Sequence, residues 1–166
     1  MPTIMAHCVY SDETERKLLK ERGVFIAHCP ESNANLSSGI APIRQYLQEG
    51  QRIGLGSDVA GGSDESMFRA MAEAIKVSKL RWRLMDQKDT PLSAAEAFYM
   101  ATRGGGAFWG WVGSFEAGYE ADILVVDDAL SAHPQELSIA ERLERMIYLA
   151  EKRHILHKAV AGNWVK

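Results

Sequence analysis

Three short apolar runs recur in the first part of the chain, each ending in a titratable side chain. Thr3-Ile4-Met5-Ala6 ends in His7, and Val24-Phe25-Ile26-Ala27 ends in His28. Arg52-Ile53-Gly54-Leu55-Gly56 leads through Ser57 to Asp58. Runs this short, apolar throughout and bounded by breakers, read as buried strands. Between them the period becomes helical. Ser11-Asp12 caps a helix predicted from Thr14 to Glu21 and stopped by Gly23. Pro42 suits the first turn of a helix through Tyr46 and Leu47 that stops at Gly50. A third helix follows Ser63-Asp64, with Met67, Met71, Ala74, Ile75 and Ser78 along one face. Strand and helix alternating in this way predict parallel βαβ units. In barrels of such units the active site lies at the carboxyl ends of the strands, where His7, His28 and Asp58 fall.

The pattern changes in the second half. Thr90-Pro91-Leu92-Ser93 opens a helix through Ala97, Phe98 and Met100. Gly104-Gly105-Gly106 reads as a helix break, and Ala107 to Trp111 as a further helical turn. An apolar strand is expected at Ile123 to Val126, a linker from Leu130 to Ser138, and an amphipathic helix from Ser138 to Leu149. A hairpin turning at Gly162-Asn163 closes the chain.

Composition sets the class. The 166 residues carry 19 Lys+Arg against 22 Asp+Glu, a formal net charge of −3, with 46% hydrophobic and 25% charged residues. These are soluble globular values, far from collagen-like, disordered or disulfide-scaffold chains. No basic excess is available for phosphates, so nucleic acid is not an expected partner. No apolar run approaches the ~20 residues of a membrane helix, so no membrane partner is expected. The first residues lack the pattern of a secretory signal. Two cysteines and seven methionines fit a reducing, cytoplasmic setting. By length alone the chain suits one ordinary domain.

Few residues can do chemistry. Asp58, between a buried strand and the turn Val59-Ala60-Gly61-Gly62, can bind a metal and take a proton from water, or simply cap that turn. His7 can hydrogen-bond a water or a substrate carbonyl, ligate metal, or serve as a satisfied structural histidine. The same alternatives hold for His28. The loop after it, Pro30 to Asn35, is polar enough to line a pocket and equally reads as turn chemistry. Cys8 and Cys29 fit no zinc spacing and read as small buried residues. His154 and His157, three apart on a possible helix face, read as surface residues. The triple glycine matches no phosphate loop. There is no H-x-H pair, and no H-x-E with P-C-x-x-C. One carboxylate and one or two histidines are too few for a catalytic zinc, which takes three protein ligands and an open position.

Taken together, several segments resemble the amidohydrolase superfamily in order: Ala6-His7-Cys8, Ile26-Ala27-His28-Cys29-Pro30-Glu31-Ser32-Asn33, Leu36-Ser37-Ser38-Gly39 and Gly54-Leu55-Gly56-Ser57-Asp58. Within it, Gly56 to Gly62 with Ser66-Met67 closely resembles the guanine deaminases. So do Ala101-Thr102-x-Gly104-Gly105, Phe115-Glu116-Ala117-Gly118-x-x-Ala121-Asp122 and Val160-Ala161-Gly162. The resemblance implies an α/β fold, the last three βα units (strands 6–8) of a (β/α)8 barrel in residues 1–112. Residues 113–166 would return to a small β-sandwich with one helix. It implies water attack at C2 of guanine, giving xanthine and ammonia, with one zinc (iron in some members). Asp58 would be the eighth-strand metal ligand and proton shuttle, and His7 the sixth-strand histidine that hydrogen-bonds the attacking water or the oxyanion. His28 and Asn33 would belong to the substrate-binding seventh strand and its loop. A homodimer is implied for the full-length form. The family's H-x-H strand, fifth-strand histidine, neighbouring glutamate and purine-reading arginine have no counterpart in the sequence. The expectation is therefore a carboxyl-terminal fragment, inactive and zinc-free on its own. Another deaminase or triazine hydrolase of the superfamily, or a non-catalytic remnant or assembly subunit, remain the alternatives.

Overall fold

A computed structural model of the chain describes residues 2–129 and 134–165. Strands β1 (Ile4–Ala6), β2 (Phe25–His28) and β3 (Arg52–Leu55) form a parallel sheet in that order, with Met5, Ile26 and Ile53 in register. The ladder continues past the strand ends. The His7 amide donates to the Ala27 carbonyl (2.9 Å) and the Gly56 amide to the His28 carbonyl (2.8 Å). The three predicted strands form where their apolar runs place them, each within a residue or so at its ends.

Helix α1 (Glu13–Glu21) connects β1 to β2, with Asp12 as its cap: Asp12 Oδ1 accepts from the Glu15 amide at 2.8 Å. Two helices lie between β2 and β3, α2 (Pro30–Asn35) and α3 (Ile43–Gln48). The polar stretch at α2, read from the sequence as a loop, is a helix. Pro30 presets the backbone at its start, and its Ser and Asn side chains, poor helix formers in isolation, find tertiary partners. Gly23 and Gly50 end α1 and α3 with φ of +63° and +68°, the left-handed geometry that favours glycine. Helix α4 (Met67–Leu84) buries Met71, Ala74 and Ile75, as its periodicity predicts.

After Ser93, which forms a reciprocal cap with Glu96, helix α5 (Ala94–Tyr99) runs directly into a π-helical turn, Met100–Gly104. The triple glycine is thus not a break. It is where the helical run presses against β3: a Cβ on Gly54 would lie 2.6 Å from Gly105 Cα. Absent side chains permit that approach. Residues Ala107 to Trp111 form turns rather than a helix.

Strands β4 (Ile123–Val126), β5 (Ile155–Val160) and β6 (Asn163–Val165) form a separate antiparallel sheet. The β5–β6 turn falls on Ala161-Gly162, both with positive φ, one residue earlier than predicted. His157 lies on strand β5 and His154 in the short helical turn before it, so they do not share a helix face. Helix α6 (Ile139–Leu149) carries a Ser138–Glu141 reciprocal cap, and Ile147 joins the core with Ile26, Tyr46, Ile75 and Met100. The first part of the expected linker, residues 130–133, lies outside the described residues. Among those described, no helix is long and apolar enough to cross a membrane.

Arg44 ties α3 to the start of α5. It donates to both carboxylate oxygens of Glu96 (2.5 and 2.9 Å) and to the carbonyls of Thr90 and Pro91 (both 3.0 Å). These hydrogen bonds hold the Glu96 carboxyl down to about 2. In the unfolded chain it titrates near 4.5, so the pair stabilises the fold above that pH. The contribution falls on acidification and is gone below pH about 2. Urea unfolding at stepped pH should show this loss between about 4.5 and 2. An Arg44→Met chain should be less stable at neutral pH and show a shallower acid slope over the same window.

Candidate active site

The carboxyl ends of the parallel strands bring His7 and Asp58 face to face: His7 Nε2 lies 3.7 Å from Asp58 Oδ2, both side chains about 40% exposed. His7 follows β1 directly and Asp58 follows β3, so β2 lies between their strands. Both residues have positive φ, +69° and +48°, as does Cys8 at +45°. Such a conformation is uncommon for a non-glycine residue. It costs on the order of 1–3 kcal/mol, and it collects where surrounding structure forces a side chain into a working position.

That surrounding structure is helix α2. Ser32 Oγ donates to Asp58 Oδ2 at 2.5 Å, and the next residue, Asn33, places Oδ1 2.8 Å from His7 Nδ1. Ser32 is 0% and Asn33 2% exposed. Asn35 Nδ2 donates to the Gly61 carbonyl (2.8 Å), and Ser63 donates to Glu31. One helical turn therefore holds the two facing side chains and the turn that follows Asp58. The turn must be glycine-rich to fit beneath it. A Cβ on Gly61 would sit 2.6 Å from Ser32 Oγ and 2.9 Å from Asp58 Oδ2, and one on Gly62 2.2 Å from the Ser57 carbonyl. From the other side, Tyr46, wholly buried on α3, donates its hydroxyl to the Cys8 carbonyl.

His28 is placed differently from His7. It is 1% exposed, and neither ring nitrogen has a hydrogen-bond partner among the described residues. Burial, with His7 nearby, lowers it to about 3, so it stays neutral. The sequence reading gives His28 and Asn33 to the substrate. In the structure both are inside the chain, and the contact Asn33 makes is with His7. Ser32 was missed as a site residue. Its only signal in the sequence is its place beside Asn33 in the polar stretch after β2.

His7, Cys29 and Asp58 each bring one possible metal-ligand atom within 4.8 Å of the others. Cys29 is a poor donor: burial and the Asp58 charge push its thiol up to about 11, and only the thiolate is a strong ligand. A carboxylate and an imidazole remain. They fit one side of a zinc site but not a complete one, which takes three protein ligands at the least. Among the described residues no third neutral-pH donor joins them.

Comparison with known proteins places the chain as a whole. The chain is similar to the guanine deaminase from C. acetobutylicum, solved with guanine bound in its active site, at 48% identity and a TM-score of 0.94 over 100% of this chain and 39% of that one. The guanine deaminase of Mus musculus is 38% identical over 98% of the chain. An adenosine deaminase from Xanthomonas campestris, solved with bound zinc, is 31% identical with a TM-score of 0.78 over 97% of this chain and 36% of that one. The chain spans 38% of the length of the mouse relative. The Amidohydrolase family matches residues 1–165, and the chain belongs to that family.

Proposed function

We propose that the chain serves guanine deamination, the attack of water at C2 of guanine to release ammonia and leave xanthine, as the carboxyl-terminal part of a (β/α)8 barrel. The observation that carries this reading is the facing pair His7 and Asp58 at 3.7 Å. They stand at parallel strand ends in a chain similar along its whole length to a guanine deaminase with guanine bound. In this reading β1, β2 and β3 are barrel strands 6, 7 and 8, and β4 to β6 belong to a small β-sandwich. The exposed outer strand supports it: Ile4 and Met5 on β1 are 47% and 37% exposed, whereas parallel sheets are normally covered on both faces.

The division of labour follows from the side chains. Asp58 would hold one side of the metal with its carboxylate and would take a proton from the attacking water. His7 Nε2, facing it, hydrogen-bonds that water and orients it for attack. Zinc, when bound, supplies a water that ionises near neutral pH. The remaining ligands and the purine-reading groups belong to the part of the family fold that the chain does not span. A homodimer in the cytoplasm is the proposed setting.

Two results test this. The 166-residue chain by itself should release no ammonia from guanine and bind zinc at well below one equivalent by metal analysis; turnover by the chain alone contradicts the reading. In a barrel completed by fusion to the amino-terminal part of a guanine deaminase, Asp58→Ala should lower kcat at least ~10³-fold. It should remove the zinc together with the activity. Retention of both would mean that Asp58 is not a ligand.

A further inference from the structure

Asn33 has no reason to be polar if it only fills space. It is 2% exposed, where a polar group is costly unless it is hydrogen-bonded; its Oδ1 meets His7, while its Nδ2 has no hydrogen-bond partner among the described residues. Its backbone is fixed on both sides: the amide donates to the Cys29 carbonyl (3.0 Å) and the carbonyl accepts from Ser38 (2.8 Å). The side chain therefore meets His7 from a rigid support. His7 is equally constrained, its own amide bound to the Ala27 carbonyl at 2.9 Å and its φ at +69°.

The two ring nitrogens of His7 meet different partners. Nδ1 is 2.8 Å from Asn33 Oδ1, a full hydrogen-bond distance to an oxygen that can only accept. Nε2 is 3.7 Å from Asp58 Oδ2, too far for a hydrogen bond. A neutral imidazole has one proton to place, and only the Asn33 side offers it a bond. Asp58 does not compete at that 3.7 Å distance; its Oδ2 accepts instead from Ser32 at 2.5 Å.

We propose that Asn33 is a positioning residue that holds neutral His7 as the Nδ1–H tautomer, leaving the Nε2 lone pair directed at the space beside Asp58. The chemical consequence rests on the deaminase reading: an Nε2 lone pair accepts a hydrogen bond from the attacking water, whereas an Nε2–H would not. The tautomer itself does not depend on that reading. Asn33 in this role acts through His7.

The test is long-range ¹H–¹⁵N correlation of the histidine rings in the ¹⁵N-labelled 166-residue chain, at pH about 9, where an ordinary histidine is neutral. His7 is assigned by loss of its signals in His7→Gln, and thermal melts followed by circular dichroism establish that each variant is folded. The wild-type ring should show a protonated Nδ1 and an unprotonated Nε2. Asn33→Asp, which keeps the acceptor, should preserve that pattern. Asn33→Leu, of similar size without the acceptor, should reverse it so that Nε2–H predominates. A folded wild-type chain with Nε2–H, or a folded Asn33→Leu chain with an unchanged ring, overturns the proposal. Guanine turnover in the fusion-completed enzyme is read separately. An inactive completed enzyme whose His7 is Nδ1–H removes the deaminase reading and leaves the tautomer standing. An active one whose His7 is Nε2–H does the reverse.

Discussion

Two consecutive buried residues, Ser32 and Asn33, hold the facing side chains of two strands that are not themselves neighbours. Ser32 reaches Asp58 beyond β3 and Asn33 reaches His7 beyond β1. Everything else in the candidate site depends on where that one helical turn sits. The turn follows directly from the carboxyl end of the central strand β2, so its side chains fan to both flanks. A parallel sheet gives three strand ends at one level. The α2 turn converts that level into a fixed distance between an imidazole and a carboxylate. The glycines at 61 and 62 and the left-handed backbone at His7 and Asp58 are the local accommodations that the arrangement requires.

Much of this was legible in the sequence. The three apolar runs read as buried strands, being too short for helices and bounded by breakers; all three form strands, but only β2 and β3 bury residues, and β1 is exposed along its length. Their spacing left room for a helix between each pair. Asp58 and His7 were legible as strand-end groups for the same reason. What the sequence did not show is what tertiary contact decides. Pro30 to Asn35 is polar and reads as a turn, yet its side chains satisfy one another's neighbours and it becomes a helix. Gly104 to Gly106 reads as a break, yet the missing side chains are what lets the helical run lie against Gly54. Asn33 was legible as a functional candidate, but its partner, a histidine 26 residues away, was not. Ser32 was legible only as one member of that polar stretch.

The chemistry stays divided for a physical reason. A carboxylate and a single imidazole cannot enclose a divalent cation, and a thiol held protonated adds little. The residues of the chain are nonetheless not idle without a full ligand set. Their backbone strain is already present and their hydrogen bonds are already made. The facing pair is held in place before any ligand binds, as the proposed reading requires if catalysis relies on fixed donors and acceptors rather than on rearrangement at the moment of reaction.

The most direct test of that division is complementation. The 166-residue chain is mixed with a separately produced amino-terminal part of the Clostridium acetobutylicum guanine deaminase, and xanthine is measured after guanine and zinc are added. Xanthine formed by the mixture and by neither part alone is the expected result. Xanthine from the chain alone, or none from a zinc-loaded complex of the two parts, would contradict the assignment of His7 and Asp58 to one half of a shared site.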